Sequence, residues 1–193
     1  MKQDMASPGT LRRRALDAAR ALLEESGAEG VQLRAIAARI GSGVATLYHH
    51  FDDKDALLAA LAIEGWGELA RRIEEAMASD RFVHRIDGAS SAFLSFIRRH
   101  PQLYALMQTE QALAANREVR AAEQQAFASF QTAFRGDERV PPERVEEISL
   151  VIWVLGRGIA SAVLMQAEPG AADELVRRVI SGFGFLLSPR FAG

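Results

Sequence analysis

Apolar residues recur along this chain at i, i+3, i+4 and i+7, and no stretch alternates for the length of a strand. That period predicts an all-α protein. A first helix is expected from about Leu11 to Glu25, with Leu16, Ala19, Leu22 and Leu23 inward, Thr10 as N-cap and Ser26-Gly27 as the stop. A short helix over Leu33–Ile40 buries Leu33, Ile36, Ala37 and Ile40. Gly41-Ser42-Gly43 breaks it, and a second short helix runs from Val44 to His50. Asp53 then caps a long helix whose stripe is Leu57, Leu58, Leu61, Ile63 and Leu69. Further helices are expected at about 82–99, 101–113, 116–135, 142–167 and 171–187. Two of these carry wide apolar faces: Val145, Ile148, Ile152, Leu155, Ile159 and Val163, then Leu175, Val176, Val179, Ile180, Phe183 and Leu187. The six prolines fall near these boundaries, where a missing N–H costs little.

Composition narrows the classes. The chain has 193 residues, 49% apolar and 25% charged, which suits one domain or a small module joined to a larger one. We place the modules at 1–53 and 54–193, joined at Asp52–Lys54 without a flexible linker. There is no cysteine, which excludes disulfides, thiolate zinc sites and a cysteine nucleophile. No apolar run approaches the roughly 20 residues that span a bilayer. The first eight residues lack the apolar core of a signal peptide. A cytoplasmic protein with no membrane partner is expected. Net charge is −2, too close to neutral to point to a polyanion by itself.

The short helix pair is the informative element. Two helices of about two turns, joined by a glycine-rich turn, follow the helix-turn-helix plan. A helix that short persists only when packed. Its outer face fits the major groove of duplex DNA. Val44 and Ala45 are placed to touch thymine methyls, Thr46 and the Tyr48 hydroxyl to reach phosphates, and His49 to meet a base edge. Lys54 opens the next helix, where its charge and the helix N-terminus both attract a phosphate. Leu47 and Phe51 are expected to pack the small core, and His50 to be structural.

These residues are similar to a known family. Leu33-Arg34-Ala35-Ile36-Ala37-Ala38-Arg39-Ile40-Gly41, followed by Thr46-Leu47-Tyr48-His49-His50-Phe51-Asp52-Asp53-Lys54-Asp55-Ala56-Leu57-Leu58, resembles the tetracycline-repressor (TetR) family. The resemblance covers about residues 10–60. It implies a dimeric, all-helical transcription regulator with an N-terminal DNA-binding domain and a C-terminal ligand-binding and dimerisation domain. Repression is the usual mode it implies. Candidate DNA-binding residues are Gln32, Arg34, Val44, Ala45, Thr46, Tyr48, His49 and Lys54. Three positions depart from the family pattern: Gly43 replaces a small polar N-cap, Val44 a Lys or Arg, and Gln32 a phosphate-binding Thr.

The C-terminal region resembles the WHG subgroup through Ser95–Met107 and Trp153-Val154-Leu155-Gly156-Arg157-Gly158, with Arg157 standing where the subgroup has His. Candidate ligand-binding residues are Trp66, Phe93, Phe96, Tyr104, Met107, Phe127, Phe130, Trp153 and Arg157, with Met165 beside them. Arg157, a charge within an apolar helix, needs either an acidic ligand or a partner such as Glu110, Glu147 or Glu168. Helices 142–167 and 171–187 are expected to pair with their copies in a homodimer, with Gly156, Gly158, Ala160 and Ala162 permitting close approach. Helix 53–78 is the candidate lever between ligand and DNA. The competing reading, an enzyme, finds no HExxH, P-loop, GxGxxG or GxSxG, and His84 and His100 lack flanking ligands. No catalytic residue, metal or cofactor is expected.

Overall fold

The structure, a computed structural model, describes residues 8–79, 85–109, 117–165 and 170–186. Among the described residues every regular element is helical. They belong to two compact units, Met1–Asp137 and Glu138–Gly193. His84, Glu110, Glu168 and the expected helix ends at 82–84, 110–113, 116, 166–167 and 187 lie outside the described residues.

In the first unit, α1 spans Pro8–Gly30. Thr10 lies inside it rather than capping it. Gly27 takes φ 68°, open to a residue without Cβ, and the helical pattern resumes for one more turn. Ala15, Leu16, Ala19 and Leu23 are buried, and Leu22 is half-buried. Helix α2 spans Leu33–Ile40 with all four expected residues buried. Gly41 closes it at φ 66°, its N–H donating to Ala38 O and that of Ser42 to Ala37 O.

Helix α3 is Val44–Tyr48, two residues shorter than expected. The amides of His50 and Phe51 both donate to Leu47 O, each at 2.9 Å, as Phe51 turns into the core. Leu47 and Phe51 are 0% and 3% exposed, so both pack the small core. Helix α4 runs from Lys54 to Met77, and the Asp53 carboxylate accepts from the Ala56 amide at 2.7 Å. Ile63 is half-buried, at the margin of the α4 stripe.

Helices α5 (Arg85–Arg99), α6 (Pro101–Met107) and α7 (Arg117–Arg135) pack around α4. Gly65 sets the closest approach: a Cβ there would lie 2.6 Å from Met107 Sδ. Helix α1 packs against α2, α4 and α6. At that crossing Glu68 takes Arg20 at 2.7 Å and Arg72 at 2.6 Å. Glu24 of α1 caps α6, accepting from the Leu103 and Gln102 amides at 3.1 and 3.3 Å. Burial alone would raise the Glu68 carboxyl, but the hydrogen bonds from Arg20 and Arg72 outweigh it and hold it below its ordinary value.

His100 sits beside this cluster, its ring 5.3 Å from that of Phe96. Burial, then the charge of Arg20, push its imidazole below the ordinary value, against the pull of Glu68 and Glu24. The unfolded chain therefore takes up this proton first. Stability is complete above about pH 6.5 and falls as the pH drops through the folded value. Thermal unfolding between about pH 7.5 and 5 should show that loss in the native chain, and His100→Gln should flatten it.

In the second unit a 3₁₀ turn, Pro142–Arg144, leads into α8 (Val145–Leu164), and α9 spans Ala171–Leu186. Helices α8 and α9 pack together. The deeply buried line on α8 is Val145, Ser149, Trp153 and Ala160. Of the expected stripe only Val145 belongs to it; Ile148, Ile152, Leu155, Ile159 and Val163 are half-buried. The opposite side bears Leu150, Val151 and Val154, 51–59% exposed, and Met165 follows the helix at 82%. On α9 Val176 is buried, and Leu175 and Val179 are half-buried. By length and composition alone, Pro142–Leu164 is apolar enough to cross a membrane. Arg157 and the charges at its start still interrupt it, so no unbroken apolar run of about 20 residues occurs there.

Candidate nucleic-acid interface

The interface is built on α2, α3 and the start of α4. Leu33, Ile36, Ala37 and Ile40 of α2 and Leu47 of α3 face the core. The remaining positions of α3 are thereby turned outward. Ala45, Thr46 and His49 are exposed, Val44 is half-buried, and Tyr48 is 54% exposed. Tyr48 is thus not a packing residue of the small core. Gln32 and Arg34, at the start of α2, are exposed, and Lys54, the first residue of α4, is half-buried. His50 is half-buried.

The cations of this module divide into two groups. Arg13 pairs with Asp17 and with Glu64 at 3.1 Å. Arg20 is held by Glu68. Arg39 makes a two-pronged pair with Glu25 at 2.6 and 2.8 Å. That pairing holds the Glu25 carboxyl below its ordinary value and the Arg39 guanidinium above its own. Arg14 donates to Ile40 O at 2.6 Å, tying α1 to the end of α2. Arg12 lies 5.4 Å over the Phe51 ring. Among the described residues Arg34 and Lys54 make no ion pair. Arg34 and Lys54, on the helices on either side of α3, thus join Arg12 as cations near α3 with no carboxylate partner among the described residues. Arg12 is a surface cation missing from the expected set, and the run Arg12-Arg13-Arg14 is its signal in the sequence.

The candidate ligand residues fall in both units. Trp66, Phe93, Phe96, Tyr104, Met107 and Phe130 are buried, and Phe127 half-buried, on helices that all pack against α4. The rings of Phe93 and Tyr104 meet edge to face at 5.7 Å. Trp66 Nε1, the Tyr104 hydroxyl and Gln108 Nε2 are enclosed polar atoms of this core. Gln108, just past α6, is not among the expected residues. Its Nε2 has no hydrogen-bond partner among the described residues. An enclosed donor left so costs roughly 1–3 kcal/mol. Trp153 is buried and Arg157 half-buried, both on α8 in the second unit. Met165, expected to face inward, stands in the open because it follows the last turn of α8. An open cleft of about 550 Å³ runs along α5, lined by Asp87, Ser90, Leu94 and Arg98 among others, and by none of these candidates.

Comparison with known proteins agrees with this architecture. Residues 15–61 match the family described as bacterial regulatory proteins, tetR family. Residues 86–183, half of the chain, match the tetracyclin repressor-like C-terminal domain. Over 90 residues the chain is 37% identical to the tetracycline repressor protein class A from transposon 1721 of Escherichia coli. That alignment spans 47% of this chain and 34% of the relative, so about a third of the relative's length. A solved structure of a protein with unknown function from Rhodococcus sp. RHA1 is 28% identical and superposes with a TM-score of 0.74, covering 94% of this chain and 97% of that one. The transcriptional regulator SCO7222, a TetR from Streptomyces coelicolor, has 18% identity and a TM-score of 0.63, covering 94% and 97%. At that identity it shares the fold alone.

Proposed function

The chain belongs to the TetR family of bacterial regulatory proteins, and on that footing we propose that it is a ligand-responsive transcription repressor rather than an enzyme. It binds palindromic operator DNA in the cytoplasm as a homodimer and is released by a small-molecule effector. One observation carries the DNA reading: an uncharged, outward-facing α3 stands between Arg34 and Lys54, neither of which makes an ion pair among the described residues. Phosphate contacts position a protein on DNA, and base contacts specify the sequence. Arg34, Gln32, Thr46, Tyr48 and Lys54 are the positioning residues of this reading. Val44, Ala45 and His49 are the reading ones.

The dimer would form through the last two helices. The outer line of α8, Leu150, Val151, Val154, Gly158 and Ser161, repeats at helical spacing and ends at Met165. Among the described residues, and apart from its own stretch of helix, nothing lies within 4 Å of a Cβ built on Gly158, which leaves room for a partner helix. Ala160 is on the buried side and packs within its own chain. This line also explains the apolar character of Pro142–Leu164 without a membrane. The WHG likeness of the C-terminal domain belongs to the same proposal.

The effector would enter the core of the first unit, among Trp66, Phe93, Phe96, Tyr104, Met107, Phe127 and Phe130. There Gln108 Nε2 offers a donor to an acceptor group on the ligand. Helix α4 links this core to the DNA end, since it carries both Trp66 and Lys54. An effector acts only through its differing affinity for two states of the dimer.

Footprinting of promoter-region duplexes tests the reading. The native protein should protect a two-fold symmetric site, with affinity that falls steeply with salt. Lys54→Ala should weaken binding to all sequences and reduce the salt slope by about 0.9 per protomer. An unchanged slope would remove Lys54 from the phosphate contacts. Binding without salt dependence would remove DNA from the proposal.

A further inference from the structure

The surface that would enter the groove has an unusual chemistry. From Ser42 to Phe51 there is no lysine, arginine, asparagine, glutamine, aspartate or glutamate. The strong base contacts come from these types: two-pronged from Arg or Lys to guanine and from Asn or Gln to adenine, and Asp or Glu accepting from the cytosine amino group. None is available on α3 or its flanking turns. Leu47 and Phe51 are buried, which removes them too. What remains outward, wholly or in part, is Ser42, Val44, Ala45, Thr46, Tyr48, His49 and His50, with Gly43 adding no side chain at all. Three of the neighbouring arginines are engaged by carboxylates, Arg13 by Glu64, Arg20 by Glu68 and Arg39 by Glu25, and Lys54 opens α4, where this reading assigns it to a phosphate. Arg34 belongs to α2, the helix that crosses the backbone in this motif.

Resting on the DNA-binding reading above, we infer that this protein selects its half-sites chiefly by thymine C5-methyl groups, held against Val44 and Ala45 in the major groove. The thymine methyl is the one apolar mark that a base pair shows there. Two adjacent aliphatic side chains, one exposed and one half-buried, present apolar surface without a donor that demands a partner. Thr46 and His49 add hydrogen bonds at neighbouring positions. Discrimination against a lost methyl is then a desolvation effect, about 0.8 kcal/mol or fourfold for each methyl buried.

The test can begin without a known operator. The full-length protein selects from a random-sequence duplex pool at low salt, and the tightest duplex is resynthesised with deoxyuridine replacing one thymidine at a time. Uracil keeps the Watson–Crick pair and loses only the methyl. One or more positions in each half-site should bind about fourfold more weakly. Val44→Ala should shrink that thymine-to-uracil ratio at the same position, while His49→Ala leaves the ratio there intact. Tight, selective binding that tolerates uracil at every position overturns the inference and leaves the DNA-binding reading standing. Failure of the pool to enrich overturns both.

Discussion

Val154→Asp is expected to convert the protein to a folded monomer that no longer holds operator DNA. Val154 is 59% exposed on its own chain, so the change disturbs little of the packing within the protomer. In a two-fold dimer the same substitution occurs twice, on facing surfaces. Two carboxylates buried in an apolar seam, without partners, face desolvation and mutual repulsion together. A loss of at least about 4 kcal/mol corresponds to roughly a thousandfold weaker dimer. Operator affinity falls with it, because each protomer then binds one half-site alone. Sedimentation of both proteins, with circular dichroism as the check on folding, reads the result. A Val154→Asp protein that sediments as a native-like dimer would place the interface elsewhere.

Glu68→Ala is expected to give the largest loss of stability of any single charge removal among the described residues of the first unit. Glu68 is 16% exposed and is held by Arg20 of α1 and Arg72 of its own helix. Removing it leaves two guanidinium groups, 24% and 26% exposed, facing each other and His100 with no carboxylate between them. Breaking a buried pair typically costs 3–5 kcal/mol; partial exposure reduces this to about 2–3. For a chain of this size that shifts the midpoint of thermal unfolding down by roughly 5–10 °C. Glu68→Gln, which keeps the shape and one acceptor, should fall between the two. A midpoint within a degree of the native one would show that the α1–α4 crossing is held by its apolar contacts alone.

Much of the fold is legible in the sequence because its helices are amphipathic at close range. Helix α2 has its expected bounds since Leu33, Ile36, Ala37 and Ile40 define one face and Gly41 a left-handed stop. Asp53 caps α4 as a residue of that type before a periodic run should. The misses share a cause. Gly27 carries a stop signal, yet the chain continues helical after it, because a local φ does not decide whether the next turn has something to pack on. Helix α3 ends early because Phe51 is drawn into the core. On α8 nearly every position is apolar, so periodicity alone does not choose between Ile148 and Trp153 for the deep side. Glu24 reads as an ordinary surface glutamate; its partners are the amides of Gln102 and Leu103, far along the chain. For the candidate site, residue types pointed to α3, while the commitment of Arg13, Arg20 and Arg39 to carboxylates became visible only in three dimensions.

The chain has no cysteine, so one placed at Ala45 on α3 can carry a DNA-cleaving iron chelate at a single defined position. On a selected duplex the derivatised protein should cut at two places related by two-fold symmetry. They should lie about one helical turn, ~34 Å, or a whole multiple apart, each centred on a major groove. Protein that binds the same duplex and cuts nowhere, or cuts as weakly as a chelate placed at Ser161 on α8, would contradict the assignment of α3 as the element that reads DNA.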